Sequence, residues 1–157
     1  MTHVRRILVA TDFSPHSHAA LEGAGVIAAR TSAAIDVIHV WEPPLGLPLK
    51  TTAASHGGST LSELARKEAQ KKLQAFLAGI RKPLRQRIEV GSASELIVTL
   101  AASERFDLIV MGKSGAGRNP SHMGSVTRRV LDAAPCPVLT LRAPAPNRTA
   151  PSPAEPF

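Results

Sequence analysis

Short apolar runs alternate with longer amphipathic stretches along most of this chain, and this alternation restricts the folds that it can adopt. The short runs are rich in valine, isoleucine and leucine, as buried strands are. The longer stretches repeat apolar residues at helical spacing. Strands connected through helices form a parallel sheet with helices on both faces, because the crossovers are right-handed. The predicted strands are 6–11, 33–41, 87–91, 107–112 and 137–141.

Five strands connected in this way predict an α/β fold, a three-layer, doubly wound parallel sheet with strand order 3-2-1-4-5. The starts of the helices carry local signals. Ser14 followed by Pro15 is typical of an N-cap and a first helical residue. Two further pairs have the spacing of a capping box, Thr60 with Glu63 and Ser92 with Glu95.

The composition indicates one globular domain. The chain has 157 residues, of which 43% are hydrophobic, enough to bury a core of its own. We place this domain at residues 1–142, with a long surface loop over 42–59 and a flexible tail rich in proline and alanine over 143–157. No apolar run is long enough to cross a bilayer. Cys136 is the single cysteine and excludes an intramolecular disulfide, so we expect a cytoplasmic protein.

The chain is basic, with a net charge of +7 from 19 Lys and Arg against 12 Asp and Glu. The basic residues fit either a nucleic-acid surface or the solvated face of one helix and the loop after it. Aromatic residues make up 3% of the chain and tyrosine is absent, so there are few side chains on which bases could stack. The composition therefore argues against nucleic acid as a partner. The basic cluster comprises Arg66, Lys67, Lys71, Lys72, Arg81, Lys82, Arg85 and Arg87.

The predicted strand order brings the ends of the first and fourth strands together. These two strands are neighbours in the sheet, and the helices that follow them lie on opposite faces. A crevice therefore opens between their carboxyl ends, where ligands bind in folds of this type. Asp12 follows the first strand and Gly112 ends the fourth. Residues far apart in the sequence thus converge on one predicted ligand site.

A glycine-rich segment follows the fourth strand and leads into a helix. Glycine lets a backbone turn sharply and approach a ligand closely, and a helix start favours anions such as phosphate. Ser125 and Thr127 add hydroxyl groups at the start of this helix. The alternative is a surface loop that needs glycine only for turning. The glycines concerned are Gly112, Gly115, Gly117 and Gly124.

Two common phosphate-binding motifs are excluded in this segment. The run Gly112-Lys113-Ser114 is similar to the end of a Walker A motif, but that motif requires glycine at position 107, where the chain has aspartate. Gly115 and Gly117 could begin a dinucleotide fingerprint, but that fingerprint needs a small residue at position 120, which is proline. The segment therefore belongs to neither class.

The histidines and the cysteine have simpler interpretations than metal binding or catalysis. His16 and His18 follow the first strand, but residues two apart in a helix point to different sides, so we expect surface histidines. His39 lies within the second strand and is interpreted as a core or edge histidine. Cys136 lies between two prolines beside an apolar strand and is interpreted as a buried, inert thiol.

The chain resembles the universal stress protein family over nearly its whole length, up to Arg142. This resemblance implies a fold of the adenine nucleotide alpha hydrolase type, in agreement with the α/β fold predicted above. It also implies a homodimer formed through the fifth strand, Val138-Leu139-Thr140-Leu141, which is an apolar and uncharged edge. The segments that carry the resemblance are 7–14, 107–112, Gly115, 124–127 and 134–139.

Within this family, the sequence is similar to an ATP-binding branch marked by the pattern G-x2-G-x9-G-[ST]. Gly112 and Gly115 match the first part, and Gly124-Ser125 follows after eight residues, one fewer than in the pattern. The resemblance implies a site for ATP, or for ADP or AMP, with Mg²⁺ bridging the phosphates. No constellation for fast hydrolysis is visible, so we expect a stress-response sensor or regulator with at most slow ATP hydrolysis.

The resemblance also implies a role for each matching residue. Ala10 and Thr11 would line the base pocket, and Val40 would offer backbone groups to adenine. Asp12 would lie near the adenine and ribose, with a metal or water shell. The other site residues would pack around the nucleotide or hold its ribose and phosphates, namely Met111, Gly112, Lys113, Gly115, Gly124, Ser125, Val126 and Thr127.

The sequence leaves one alternative function open and argues against another. The shortened spacing between Gly115 and Gly124 favours a family member that binds no nucleotide and acts through protein–protein contacts. An enzyme that adenylates a substrate would need a substrate domain or a signature lysine or histidine motif, and the chain contains neither. We therefore carry the nucleotide-binding hypothesis forward, with the protein-contact hypothesis as its alternative.

Overall fold

The computed structural model describes residues 3–46, 60–80, 85–115 and 122–144. The predicted loop lies outside the described residues from position 47 to 59, and the predicted tail from position 145 onward. Of the eight residues between Gly115 and Gly124, positions 116–121 also lie outside. The elements are β1 (Arg6–Thr11), α1 (Pro15–Thr31), β2 (Ala34–Trp41), α2 (Leu61–Phe76), β3 (Arg85–Val90), α3 (Ala93–Ser103), β4 (Leu108–Gly112), α4 (Ser125–Ala133) and β5 (Val138–Leu141).

The five strands form one parallel sheet in the order β3-β2-β1-β4-β5, which confirms the predicted topology. β1 begins and ends where the sequence predicted. β3 begins two residues earlier than predicted, at Arg85, which pairs with Asp36 on β2. Backbone pairing does not require an apolar side chain, so the apolar pattern could not mark this polar end of the strand.

Alternate residues of β1 belong to two different cores. Ile7 and Val9 pack with α1 and α2 on one face of the sheet, and Leu8 and Ala10 pack with α3 and α4 on the other. Burying a residue such as Ile7 or Leu8 contributes about 1.5–3 kcal/mol, so the strand is anchored from both sides. This double anchoring gives the carboxyl end of β1 a defined position.

Arg6 ties the amino end of β1 to its neighbours. Its guanidinium lies 3.2 Å from the Asp36 carboxylate on β2 and 3.1 Å from the Glu104 carboxylate, which follows α3. Glu104 also pairs with Arg85 and Arg87 of β3. The hydrogen bond from Arg6 is the main reason that the pKa of Glu104 lies below its ordinary value. This charged cluster lies at the amino edge of the sheet, opposite the carboxyl edge where the crevice was predicted.

The helix starts agree with the sequence in two places and differ in one. Ser14 caps α1, since its Oγ accepts a hydrogen bond from the Ser17 N–H at 3.2 Å. The capping box between Thr60 and Glu63 is confirmed, with both reciprocal hydrogen bonds present. The second predicted capping box is wrong, because the Ser92 side chain makes no cap hydrogen bond at the start of α3.

The α2 helix carries part of the predicted basic cluster on its exposed side. Ala69, Leu73 and Phe76 are buried against the core, so the lysines and arginines between them face solvent. No helix in the described ranges is both long enough and apolar enough to cross a membrane. The exposed basic residues of α2 are Arg66, Lys67, Lys71 and Lys72.

Candidate functional site

A cavity of about 300 Å³ opens at the carboxyl edge of the sheet, where β1 and β4 end and α3 and α4 begin. This volume is at the lower end of the range typical of small-molecule sites. One part of its lining is apolar and belongs to the core under α3 and α4: Ala10, Ile38, Val40, Ala93, Ile97, Met111 and Val126. The other part is polar or glycine: Thr11, Asp12, Ser17, Gly112, Ser114, Gly115, Gly124, Ser125 and Thr127. Glu42 also lines the cavity; it is polar, but its hydrogen bond to the Ala93 N–H places it beside the apolar part.

Asp12 and Gly115 meet across the polar part of the cavity. Asp12 follows β1, and its Oδ1 accepts a hydrogen bond from the Ser14 N–H at 3.0 Å. A Cβ atom added to Gly115 would lie 2.8 Å from the Asp12 Oδ2, closer than real Cβ contacts. A side chain at position 115 would therefore require the Asp12 carboxylate to shift from its present position.

Gly112 brings the end of β4 against the start of α1. A Cβ atom at Gly112 would lie 2.9 Å from the His16 Cβ and 3.0 Å from the Ser17 backbone nitrogen. The Gly112 carbonyl accepts a hydrogen bond from the Thr127 Oγ1 at 3.0 Å, which connects β4 to α4. Both contacts fix the floor of the polar part of the cavity.

The start of α4 supplies the other wall of the polar part. Gly124 is the N-cap residue and has no side chain to accept a hydrogen bond from the first turn. The first N–H groups of an α-helix have no partners within the helix, and they carry the positive end of the helix dipole. Because Ser125 and Thr127 line the cavity, this end of α4 can receive an anionic group there.

Eleven of the twelve residues proposed from the sequence line this one cavity, and Lys113 does not. The Lys113 N–H instead donates to the Leu141 carbonyl at 2.8 Å, and its carbonyl accepts from the Gly124 N–H at 2.9 Å. Its backbone thus holds the loop to β5 and to the start of α4. The eleven are Ala10, Thr11, Asp12, Val40, Met111, Gly112, Gly115, Gly124, Ser125, Val126 and Thr127.

Known proteins share this architecture. The sequence profile of the Universal stress protein family matches residues 3–142. The chain belongs to the universal stress protein family. A universal stress protein of Thermus aquaticus is 33% identical over 142 residues, which cover 88% of this chain and 98% of the relative.

Solved structures of other universal stress proteins have the same fold. Universal stress protein UspA from Lactobacillus plantarum superimposes with a TM-score of 0.68 at 28% identity, covering 90% of this chain and 100% of that one. A universal stress protein in complex with cAMP superimposes with a TM-score of 0.59 at 24% identity, covering 91% of this chain and 100% of the other. At 24% identity the second likeness supports the fold alone.

Six residues of the cavity in this universal stress protein escaped the sequence reasoning. Ile38 and Glu42 lie on the same side of the chain as Val40, because alternate residues of an extended strand face the same way. That alternation could have identified both of them. Ala93 and Ile97 enter through α3, whose start lies at the same edge as the other helix starts. The remaining two are Ser17 and Ser114.

Glu42, rather than the Ser92 side chain, accepts a hydrogen bond from the backbone at the start of α3. Its Oε1 accepts a hydrogen bond from the Ala93 N–H at 2.6 Å, at the first residue of α3. The neighbouring Gly91 N–H donates to the Trp41 carbonyl at 3.1 Å. The end of β2 is therefore fastened to the start of α3 by two hydrogen bonds, and together they form one wall of the cavity.

His39 is hydrogen-bonded to the backbone of Thr11, a residue that lines the cavity. Its Nδ1 lies 2.8 Å from the Thr11 carbonyl, to which an Nδ1–H donates. Burial is the largest of the causes that lower the pKa of His39 below its ordinary value, which favours the neutral ring. The Phe13 ring lies 4.3 Å from the His39 ring, and the Phe13 backbone has a left-handed conformation with φ of 64°. Few bulky residues adopt that conformation, which here turns the chain sharply after Asp12.

The other singled-out side chains serve the fold in different ways. His18 is exposed, as predicted. The prediction of a surface residue is wrong for His16, which is half-buried and whose Nδ1 accepts a hydrogen bond from the Ala143 N–H at 2.8 Å. Cys136 is only partly buried, and burial is the main cause that raises the pKa of its thiol. No group of three or more His, Cys, Asp or Glu side chains suited to hold a metal occurs within the described ranges.

Proposed function

We propose that this universal stress protein binds an adenine nucleotide, ATP or its ADP and AMP relatives, in the cavity at the carboxyl edge of the sheet. The observation that carries this proposal is the division of the cavity into two parts. The apolar part suits a planar base, and the polar part offers close backbone approach and a helix start without a side-chain cap. A nucleotide has the same division into base and phosphates.

The solved relative in complex with cAMP supports this proposal, since cAMP is an adenine nucleotide. That relative shares the fold at 24% identity, so the cavity of this chain has to carry the argument about the ligand. We assign the nucleotide contacts to the eleven lining residues proposed from the sequence. Lys113 stays in the proposed set through its backbone, which connects Gly124 to the loop.

We infer that Mg²⁺ accompanies the bound phosphates. Asp12 is a carboxylate in the polar part of the cavity, and oxygen ligands of this kind are those that Mg²⁺ prefers. No lysine or arginine is found among the described residues that line the cavity. A divalent cation held beside Asp12 would balance the negative charge of the phosphates, because no cationic side chain in the described lining does so.

We propose a role as a cytoplasmic sensor or regulator of the stress response. Fast hydrolysis needs a residue that positions the attacking water and a cation that stabilises the transition state. The described lining has two carboxylates, Asp12 and Glu42, and each holds a backbone N–H, while no lysine or arginine there could stabilise the transition state. Any ATP hydrolysis should therefore be slow, and nucleotide occupancy rather than turnover would carry the signal.

We also propose that the protein forms a homodimer through β5. This strand is last in the sheet order, and its side chains are half-buried. An uncharged strand at the edge of a sheet presents unpaired backbone groups to a second copy. The same pairing in both copies would give a closed, symmetric dimer.

The function is tested by nucleotide content and titration. The protein is purified without added nucleotide, denatured, and its supernatant analysed for ATP, ADP and AMP; stripped protein is then titrated with Mg·ATP by calorimetry. We expect bound nucleotide or saturable binding. Absence of both at millimolar Mg·ATP would contradict the proposal and favour the alternative member that acts through protein contacts.

The site assignment is tested by Gly115→Ala. The added Cβ would lie 2.8 Å from the Asp12 Oδ2 and must displace the carboxylate, so we expect ATP affinity to fall about tenfold or more. Gly25→Ala is the matched control, because a Cβ there meets no atom within 4 Å. Unchanged affinity in Gly115→Ala would overturn the assignment of Asp12 and Gly115 to the site.

A further inference from the structure

Glu42 is a cavity residue to which the proposed function assigns no ligand contact. It directly follows β2, and its Oε1 accepts a hydrogen bond from the Ala93 N–H at 2.6 Å. That bond holds the carboxylate in one place, although the residue lies at the surface. A fixed carboxylate at the wall of a ligand cavity can recognise a particular group, whereas a mobile one would be solvated.

The carboxylate lies at the apolar end of the cavity. Ala93, to which it is bonded, packs with Val40 against the same core as Ile97. Asp12 and Gly115 belong to the polar end, where β1 and β4 finish. Glu42 is therefore placed at the edge of the part that we assign to the base, rather than beside the phosphates.

A carboxylate at this position distinguishes between purines by chemistry. Its two oxygens offer about four acceptor positions, of which the Ala93 N–H occupies one, and an ionised carboxylate has no donor. A 6-aminopurine presents N–H donors at its exocyclic nitrogen. A 6-oxopurine presents an acceptor there, which the carboxylate would repel.

We propose that Glu42 determines base specificity, accepting a hydrogen bond from the exocyclic amino group of a 6-aminopurine nucleotide while it clamps the start of α3. This inference rests on the proposed nucleotide site. The family resemblance assigned the recognition of adenine to backbone groups at Val40. This inference assigns part of that recognition to the Glu42 side chain.

The experiment compares ATP with purine riboside 5′-triphosphate, which lacks only the amino group. Both are titrated with Mg²⁺ into stripped wild-type protein and into Glu42→Gln. We expect the wild type to bind ATP about tenfold or more tightly, as is typical of a hydrogen bond to a charged group. In Glu42→Gln the amide oxygen can still accept from the Ala93 N–H, but the amide nitrogen is a donor and cannot accept from the amino group. We therefore expect the preference for ATP over purine riboside triphosphate to fall to about twofold or less.

Inosine triphosphate provides a second readout with the opposite sign. Its 6-oxo group accepts the hydrogen bond that the new amide nitrogen can donate, so Glu42→Gln should bind it several times more tightly than the wild type does. Glu22→Gln, at an exposed position on α1, controls for the lost charge. It should leave both the preference for ATP and the affinity for inosine triphosphate unchanged. Thermal unfolding of the stripped variants checks that each is folded.

The possible results separate the two proposals. Wild-type protein that binds ATP, with an ATP preference unchanged in Glu42→Gln, would overturn the role of Glu42 and leave the nucleotide site in place. Equal affinity of the wild type for ATP and purine riboside triphosphate would likewise overturn the role of Glu42 and leave the nucleotide site in place. Wild-type protein that binds none of the three nucleotides would overturn the proposed function, and the inference about Glu42 with it.

Discussion

Ser114 has a buried hydroxyl with nothing to bond to in the described part of the chain. The residue lines the cavity, is 2% exposed, and its Oγ has no hydrogen-bond partner there. Leaving a buried polar group unsatisfied costs about 1–3 kcal/mol, and native proteins contain few such groups. A stability cost of this kind in a ligand cavity is expected where residues are selected for binding rather than for folding.

We therefore expect Ser114→Ala to stabilise the stripped protein, raising its free energy of unfolding by about 1 kcal/mol because the unsatisfied hydroxyl is removed. Urea denaturation of stripped protein measures this change. Ser103→Ala is the control, since the Ser103 Oγ is at the surface and donates to the Leu100 carbonyl at 3.3 Å. A loss of stability in Ser114→Ala comparable to other buried substitutions would show that the hydroxyl is satisfied in solution.

At the scale of the elements, charged side chains fasten strands and helices that the apolar pattern only outlines. Asp36 is fully buried within β2, and the guanidinium of Arg6 on β1 is its ion-pair partner at 3.2 Å. Arg6 also binds the Glu104 carboxylate and the Glu104 carbonyl at the end of α3. One side chain thus connects three elements at the amino edge of the sheet.

We expect Arg6→Ala to lower the free energy of unfolding by about 3–5 kcal/mol, because the buried Asp36 charge would lose its partner. Adding Asp36→Asn should recover part of this loss, since the remaining side chain would be neutral. Chemical denaturation of the two single variants and the double variant measures the coupling. Purely additive effects would contradict a direct dependence of Asp36 on Arg6.

At the scale of the whole molecule, β5 is an outer strand of the described sheet, and the proposed dimer would form along it. The Ile109 N–H donates to the Pro137 carbonyl and the Lys113 N–H to the Leu141 carbonyl, so these residues of the last segment face β4. Backbone groups alternate sides along a strand. The N–H and C=O groups of Thr140 therefore point to the edge, where a second copy would pair.

Thr140→Pro should convert the proposed dimer to a monomer. Proline removes the edge N–H, while the hydrogen bond from Lys113 to Leu141 on the other side stays available. Sedimentation equilibrium measures the mass, and Thr140→Val, which keeps the N–H, is the control. A Thr140→Pro variant that sediments as a folded dimer would show that the copies meet elsewhere.

Much of the fold was predictable because its signals are local or repetitive. The apolar runs marked all five strands, and β1 over 6–11 was placed to the residue because it is buried on both faces. The capping box at Thr60 needed only residues three apart. The polar start of β3 at Arg85 escaped because its pairing with Asp36 is a backbone interaction, which the side-chain pattern does not reveal.

The candidate site was predictable to the extent that topology brings strand ends together. Strand order placed Asp12 beside the loop after β4, and the structure bears this out, since a Cβ atom added to Gly115 would lie 2.8 Å from the Asp12 Oδ2. The wall formed by Glu42 and Ala93 was missed, because the sequence offered Ser92 as a local cap. Instead, a carboxylate 51 positions from Ala93 accepts from the Ala93 N–H in the first turn, and no periodicity describes such a pair.

The sequence by itself determined the alternation of elements, their order in the sheet and the edge at which a ligand site could form, since these follow from local periodicity and chain connectivity. Only the tertiary structure decided which residues complete and hold the cavity: Glu42 bonds to the start of α3, the Ser114 hydroxyl has no partner among the described residues, and Lys113 acts through its backbone. The physical reason is that hydrogen bonds depend on tenths of an ångström, and such distances are set by how distant segments pack.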